Sequence, residues 1–393
     1  MKMKFGLLPK LFAAIAIGIV VGWFSPDWVI RLTNCFRDIF GQFIKFIVPF
    51  IILGLVTPAI SDTGRSAGRM LLLTLGIAWV STVTFGYFAY GVSCGAFPAI
   101  MSGTLDQAAA AKDFPAYFTL RIPPIMDIFT ALVTSFILGF GMIATGSSAL
   151  RKAAEELRNI VTVTLGKAFV PFLPFYVLTV MADLTASGKL AAVGGSCVKI
   201  MVLATLTTTA VLLIQYVIAG AIARRNPLKA LWNMLPAYLT GWGCCSSAAT
   251  IPYTLAQTRK NGVSEETAAL VIPLCSNVHM AGSMANMVVY AAGLMVLSGE
   301  PLAFGAFTEY ILMISIIAIA SPGVPGGIVL ASATVAESAL GFSPERYAIM
   351  IALYMALDGM GTACNLTGDG AIALVVDTFA GKRRSGGRGI IRV

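Results

Sequence analysis

Apolar runs separated by short charged stretches make up the first 230 residues. Runs at 7–24, 40–60, 70–97, 126–147, 160–185 and 191–222 are each about 18–32 residues long. At about 1.5 Å per residue each is long enough for a membrane-spanning helix, the longer ones with tilt. The stretch 99–125 is polar enough to be a loop outside the membrane. After residue 230 the runs become interrupted. Gly241 to Pro252 is a small-residue break in a helical stretch, and the span 267–297 is broken by Ser276 to Ser283. Ser321 to Gly327 then breaks the apolar runs 309–320 and 328–336, and a polar-interrupted span follows. So the unit "broken hairpin, then interrupted span" occurs twice. Non-helical backbone at membrane depth is tolerated only where it is buried in protein or lines a cavity. Paired interruptions in two halves point to a transporter site between inverted repeats.

The last interrupted span, Tyr354 to Gly370, carries the candidate chemistry. Asp358, Thr362, Asn365 and Asp369 fall at i, i+4, i+7 and i+11, one face of a helix. A charge at the bilayer centre costs roughly 2.5–3.5 kcal/mol on insertion scales, so such residues normally face a wet or ligand-filled space. Helix packing alone accounts for Gly359, Gly361 and Gly368, but it does not require two carboxylates.

Composition agrees with a polytopic helical membrane protein. Of 393 residues 58% are hydrophobic and 11% charged, and the mean hydropathy is +0.86. The net charge of +9 follows from loop Lys and Arg and is no nucleic-acid signal. With the N-terminus inside, 18 Lys and Arg lie on the cytoplasmic side and 6 outside, so both termini are expected in the cytoplasm. The run Leu7 to Trp23 has no small-residue cleavage site and reads as a span, not a signal peptide. The seven cysteines show no metal spacing and read as small core residues.

Three function classes can be compared. An intramembrane aspartyl protease needs two carboxylates sharing a proton. Asp358 and Asp369 are about 16 Å apart along one helix and cannot form that dyad. A channel predicts polar rings on several helices, whereas the polar groups here cluster in two paired segments. A secondary active transporter fits both features.

The residues Ser246-Ser-Ala-Ala-Thr-Ile-Pro252, Gly323-Val-Pro-Gly-Gly327 and Asp358…Thr362…Asn365…Gly368-Asp369 resemble the dicarboxylate/amino acid:cation symporters, the glutamate transporter family. The resemblance implies an all-α membrane protein with eight transmembrane helices plus two re-entrant helical hairpins in inverted repeats. It divides the chain into scaffold helices one and two (1–69), the third helix of a transport domain (70–98) and an outside loop with scaffold helices four and five (99–190). The transport-domain core (191–380) and a cytoplasmic tail (381–393) follow, the tail read from its own sequence as disordered from Lys382. It also implies a homotrimer in the lipid of the cell's inner membrane, carrying a small amino acid by elevator-type alternating access.

Residue roles follow from the same resemblance. Ser246 and Ser247 would form the first hairpin tip and meet a substrate carboxylate. Gly323, Val324, Pro325 and Gly326 would form the second tip, the outer gate. Asp358 would pair with the substrate ammonium and Asn365 with its α-carboxylate, with Thr362, Ser283 and Gly361 beside them. Asp369, with carbonyls at Cys275, His279 and Asn365, would hold one Na⁺, and carbonyls near Asn277, Met280, Ile319 and Ser321 a second. Oxygen ligands suit a hard cation.

Two departures change the substrate and the ions. Acidic-substrate members place an arginine where this chain has Gly361 or Cys245. An acidic side chain would then be buried without a counter-charge, so a neutral amino acid is expected, with a dicarboxylate or acidic amino acid as the alternative. The family's Asn-Met-Asp-Gly-Thr reads His279-Met280-Ala281-Gly282-Ser283 here. The side chains of a third Na⁺ site are gone, with Ser81 and Thr82 its remaining wall. His279, the only histidine, reads either as a neutral hydrogen-bonded substitute for the asparagine or as a proton carrier.

Overall fold

In a computed structural model of the chain, the described residues are 7–62, 69–101, 112–126, 128–164, 167, 171–320 and 326–386. They form sixteen helices and no strand. In order these are α1 (Leu7–Phe24), α2 (Asp27–Asp62), α3 (Arg69–Ile100), α4 (Ile128–Thr145), α5 (Ser148–Thr164), α6 (Leu173–Ala186), α7 (Lys189–Ala223) and α8 (Pro227–Asn233). The second half holds α9 (Leu235–Cys244), α10 (Ser247–Lys260), α11 (Glu265–Val278), α12 (Ala281–Leu297), α13 (Phe304–Ala320), α14 (Gly327–Ala331), α15 (Ala333–Leu340) and α16 (Pro344–Gly386). Four stretches among the described residues are long and apolar enough to cross a membrane: Met70–Ile100, Gly194–Ala223, Glu265–Leu297 and Arg346–Ala380.

Two expectations are corrected. The run 160–185 is not one helix: α5 ends at Thr164 and α6 starts at Leu173. Pro171 and Pro174 lie at the junction. Proline lacks the backbone N–H and clashes with the preceding turn, so it is favoured at a helix start, where Pro174 sits in α6. The tail expected to be irregular from Lys382 is helical as far as Gly386. Lys382, Arg383 and Arg384 are good helix formers, and their charges suit the negative end of the helix dipole.

The helices pack as two groups. α1 lies on α6, and α2 lies on α4, α5 and α6. The segment 112–126 is tied to this group through Asn34, whose Nδ2 donates to Phe114 O at 2.7 Å and to Asp183 Oδ1 at 2.8 Å. Arg37 Nη1 reaches the other Asp183 oxygen at 2.9 Å. The second group surrounds α12, in which every residue from Ala281 to Met295 is buried. α3, α7 and α16 enclose it, and α16 also carries α9, α10 and α11. Along the α16 seams the backbones nearly touch. A Cβ on Gly359 would lie 2.5 Å from Trp242 O, and one on Gly282 would lie 2.5 Å from Cys364 Cβ.

The paired helices return to the end from which they start. Arg225, before α8, lies against Gly262, after α10. Glu300, before α13, makes a bidentate pair with Arg346 in α16, at 2.7 and 2.8 Å. The other end of α16 is held by Asp377, whose Oδ1 accepts from Ser264 Oγ at 2.6 Å. The hairpins α9–α10 and α13–α15 thus enter the second group from opposite ends.

Candidate functional site

The polar interior begins where α11 and α12 part. His279 (φ −95°, ψ 108°) and Met280 (φ −129°, ψ 40°) leave the helical conformation between them. A helix start exposes N–H groups that need acceptors. Here the acceptors come from other helices. Asn365 Oδ1 accepts from Gly282 N at 2.8 Å and Ser283 N at 3.1 Å, and Thr82 Oγ1 accepts from Met280 N at 3.2 Å. Asn365 Nδ2 donates to Ser283 Oγ at 2.8 Å, so one amide N–H of Asn365 remains. The amide of α16 thus serves as the cap of α12.

One turn further along α16, Asp369 Oδ1 lies 3.0 Å from His279 Nδ1, and both residues are 1% exposed. The other ring nitrogen, Nε2, lies 3.1 Å from Ser81 Oγ and 3.2 Å from Gln215 Nε2. Gln215 Nε2 also donates to Ser81 Oγ at 3.3 Å. The donor on Gln215 makes Nε2 the accepting nitrogen and leaves the N–H on Nδ1 for the carboxylate. Ser81 and Gln215 line an apolar groove of about 570 Å³ between α3, α7 and α16.

At the other end of the polar face, Asp358 Oδ2 accepts from Gly326 N at 2.8 Å. This joins α16 to the second hairpin. Tyr354 Oη donates to Ser283 Oγ at 3.1 Å. With Asn365 as its second donor, Ser283 has accepted twice and keeps its own O–H. Gly361 faces the same place: a Cβ there would lie 3.1 Å from Asn286 Nδ2 and 3.2 Å from Ser283 Oγ. Asn286 is buried, and Thr208 Oγ1 donates to its Oδ1 at 2.6 Å, which turns the NH₂ toward Gly361.

The first hairpin tip adjoins Asp358. Cys245 turns the chain with φ 51°, and its Sγ would lie 3.3 Å from a Cβ on Gly359. Ser246 and Ser247 follow, half-buried, at the start of α10. Thr362 is buried one turn after Asp358. Cys275 O accepts from His279 N at 2.9 Å, and Asn277 is an exposed residue near the end of α11. Ile319 lies in the last turn of α13. Ser321, Gly323, Val324 and Pro325 lie outside the described residues, and Gly326 is the only gate residue within them.

Sequence reasoning missed Gln215, Thr208 and Asn286. Each is a buried polar side chain on an otherwise apolar helix, and at membrane depth that was itself the available signal.

A sequence profile of the sodium:dicarboxylate symporter family matches residues 7–379. The chain is similar to the serine/threonine transporter SstT of Acinetobacter baylyi, 22% identical over 95% of this chain and 98% of that protein. SstT of Acinetobacter baumannii is 24% identical over 95% and 97%, and SstT of Streptococcus thermophilus 24% over 82% and 83%. The likeness covers the broken α11–α12 span, both hairpins and the polar face of α16 together. The chain therefore belongs to the sodium:dicarboxylate symporter family and is a membrane transporter, not an enzyme.

Proposed function

We propose that this chain carries a small neutral amino acid, of the serine or threonine kind, through the membrane together with a cation. The observation that carries this is the polar cluster of Asp358, Ser283 and Asn365 beside Gly361. The Asp358 carboxylate suits an ammonium group. The remaining N–H of Asn365 and the hydroxyls of Ser246, Ser247 and Thr362 suit an α-carboxylate. Ser283 and the Asn286 amide at Gly361 suit a side-chain hydroxyl. Cys245 and Gly361 leave the site without an arginine, and an unpaired buried carboxylate would be costly there. The names of the Acinetobacter and Streptococcus relatives agree with this substrate class.

The second hairpin, with Gly323, Val324, Pro325 and Gly326 at its tip, closes over the substrate. A Na⁺ ion is carried with it on carbonyls near Asn277, Met280, Ile319 and Ser321. The chain works as a homotrimer in the inner membrane with both termini in the cytoplasm, and α3 and α7–α16 move as the elevator. A proton on His279 is the alternative coupling ion, since an imidazole can take up and release a charge.

The test is uptake of labelled L-serine by proteoliposomes, with competitors and imposed gradients. Neutral amino acids should compete, and an inward Na⁺ gradient should drive accumulation. The substrate assignment fails if aspartate or succinate competes better than every neutral amino acid. Accumulation driven by a pH gradient but not by Na⁺ would replace Na⁺ with the proton. Flux that never exceeds equilibrium would mean a channel.

A further inference from the structure

The geometry points to a substitution at the cation place on Asp369: the ring of His279 fills it, and this chain binds no Na⁺ there. This rests on the cation-coupled reading above only for its biological meaning, since the contacts stand by themselves.

A Na⁺ site needs converging lone pairs and room for the ion. The place beside Asp369 is taken by the ring of His279. The carboxylate is engaged by His279 Nδ1 at 3.0 Å, with both side chains buried. Behind the ring, Gln215 Nε2 lies 3.2 Å from His279 Nε2, and Ser81 Oγ, which accepts from the same Gln215 amide, lies 3.1 Å from it. Gln215 Oε1, which has no hydrogen-bond partner, is packed at Gly368. At Gly368 the ring and the amide leave no room, since a Cβ there would lie 2.8 Å from His279 Cε1 and closer still to Gln215 Oε1. Cys275 O, a carbonyl that could serve an ion, already accepts from His279 N at 2.9 Å. Ala281 brings no oxygen from its side chain. An N–H held by Gln215 and Ser81 thus gives the carboxylate the partner that a cation would otherwise give.

Gln215 and Ser81 are therefore positioning residues for the ring. Asparagine at position 279 is shorter, cannot fill the ring's volume, and would turn an amide oxygen toward the same place. Opening the site by that change should create Na⁺ binding.

The experiment is a melting curve of the purified full-length protein at one pH, in NaCl or choline chloride of matched ionic strength, without substrate. A ligand that binds only the folded state raises the melting temperature. The wild type and Asp369→Asn should share one half-saturating Na⁺ concentration within about twofold, a difference well under one factor of ten in affinity. His279→Asn should gain a second Na⁺-dependent rise that the double variant His279→Asn/Asp369→Asn loses. A shift of about tenfold or more on Asp369→Asn alone, or an unchanged Na⁺ response on His279→Asn, overturns the inference. If Asp369→Asn does not fold, the comparison of His279→Asn with wild type decides. Failure of L-serine to bind would sink the substrate reading and leave these Na⁺ curves unaffected.

Discussion

Asp358 Oδ2 and the backbone N–H of Gly326 are joined at 2.8 Å, across 32 residues of sequence. The carboxylate proposed for the substrate ammonium is therefore also the latch of the second hairpin. Gly326 has φ 73°, a left-handed conformation that a side chain would strain. The latch thus depends on glycine at one end and on a charge at the other. A hydrogen bond to a charged group contributes about 1.5–3 kcal/mol. Asp358→Asn should weaken L-serine binding roughly 10- to 100-fold on that scale, with the fold retained. Equilibrium binding with a melting curve on the same sample checks this; unchanged affinity would remove Asp358 from the site.

Gly361→Arg should shift preference toward acidic substrates. A Cβ at that position meets Asn286 Nδ2 at 3.1 Å and Ser283 Oγ at 3.2 Å, so the arginine must displace the amide. Overpacking of this kind costs about 1–3 kcal/mol. Gly361→Arg combined with Asn286→Ala should be the more stable version. Competition of aspartate against serine in proteoliposomes is the measurement, and no gain for aspartate in either variant would count against Gly361 as the side-chain position.

Asn365→Ala should destabilise the protein even without substrate. It strips the acceptor from Gly282 N and Ser283 N and the donor from Ser283 Oγ, all buried. Loss of a cap costs about 0.5–2 kcal/mol, and buried N–H groups left unsatisfied cost about 1–3 kcal/mol each. Asn365→Asp keeps an acceptor and should lose less. Melting curves of the two variants in substrate-free detergent check the order; equal stability to wild type would confine Asn365 to ligand contact.

Asn286→Leu should reduce serine uptake while sparing alanine uptake. The amide is the polar group facing Gly361, and Thr208 orients it at 2.6 Å. A site that hydrogen-bonds a substrate hydroxyl discriminates strongly against the analogue without it. Equal loss for both amino acids would mean that Asn286 acts only through packing.

Much of this site was legible in the sequence. The spacing of Asp358, Thr362, Asn365 and Asp369 puts them on one face because an α-helix repeats every 3.6 residues. The break of the seventh span was expected between Ser276 and Ser283 and occurs at His279–Met280. What stayed hidden was relational. Asn365 caps a helix 82–83 residues away, and His279 meets a carboxylate 90 residues on. Those partners are chosen by tertiary proximity, which periodicity does not encode. The division of 160–185 into two helices was recoverable from Pro171 and Pro174, but it was masked by the apolar character of the run.

The glycine seams of α16 have a mechanical consequence. With Trp242 O 2.5 Å from a Cβ on Gly359, and Cys364 Cβ 2.5 Å from one on Gly282, no slack separates α9, α12 and α16. Packed interiors transmit displacement instead of absorbing it. A displacement of one of these three helices is therefore transmitted to the other two. The cluster of Asp358, Ser283 and Asn365 is therefore held as one unit with these helices. At the margin of this unit the second hairpin is joined to α16 by the bond between Asp358 and Gly326 and, further along, by Tyr347 with Ser332.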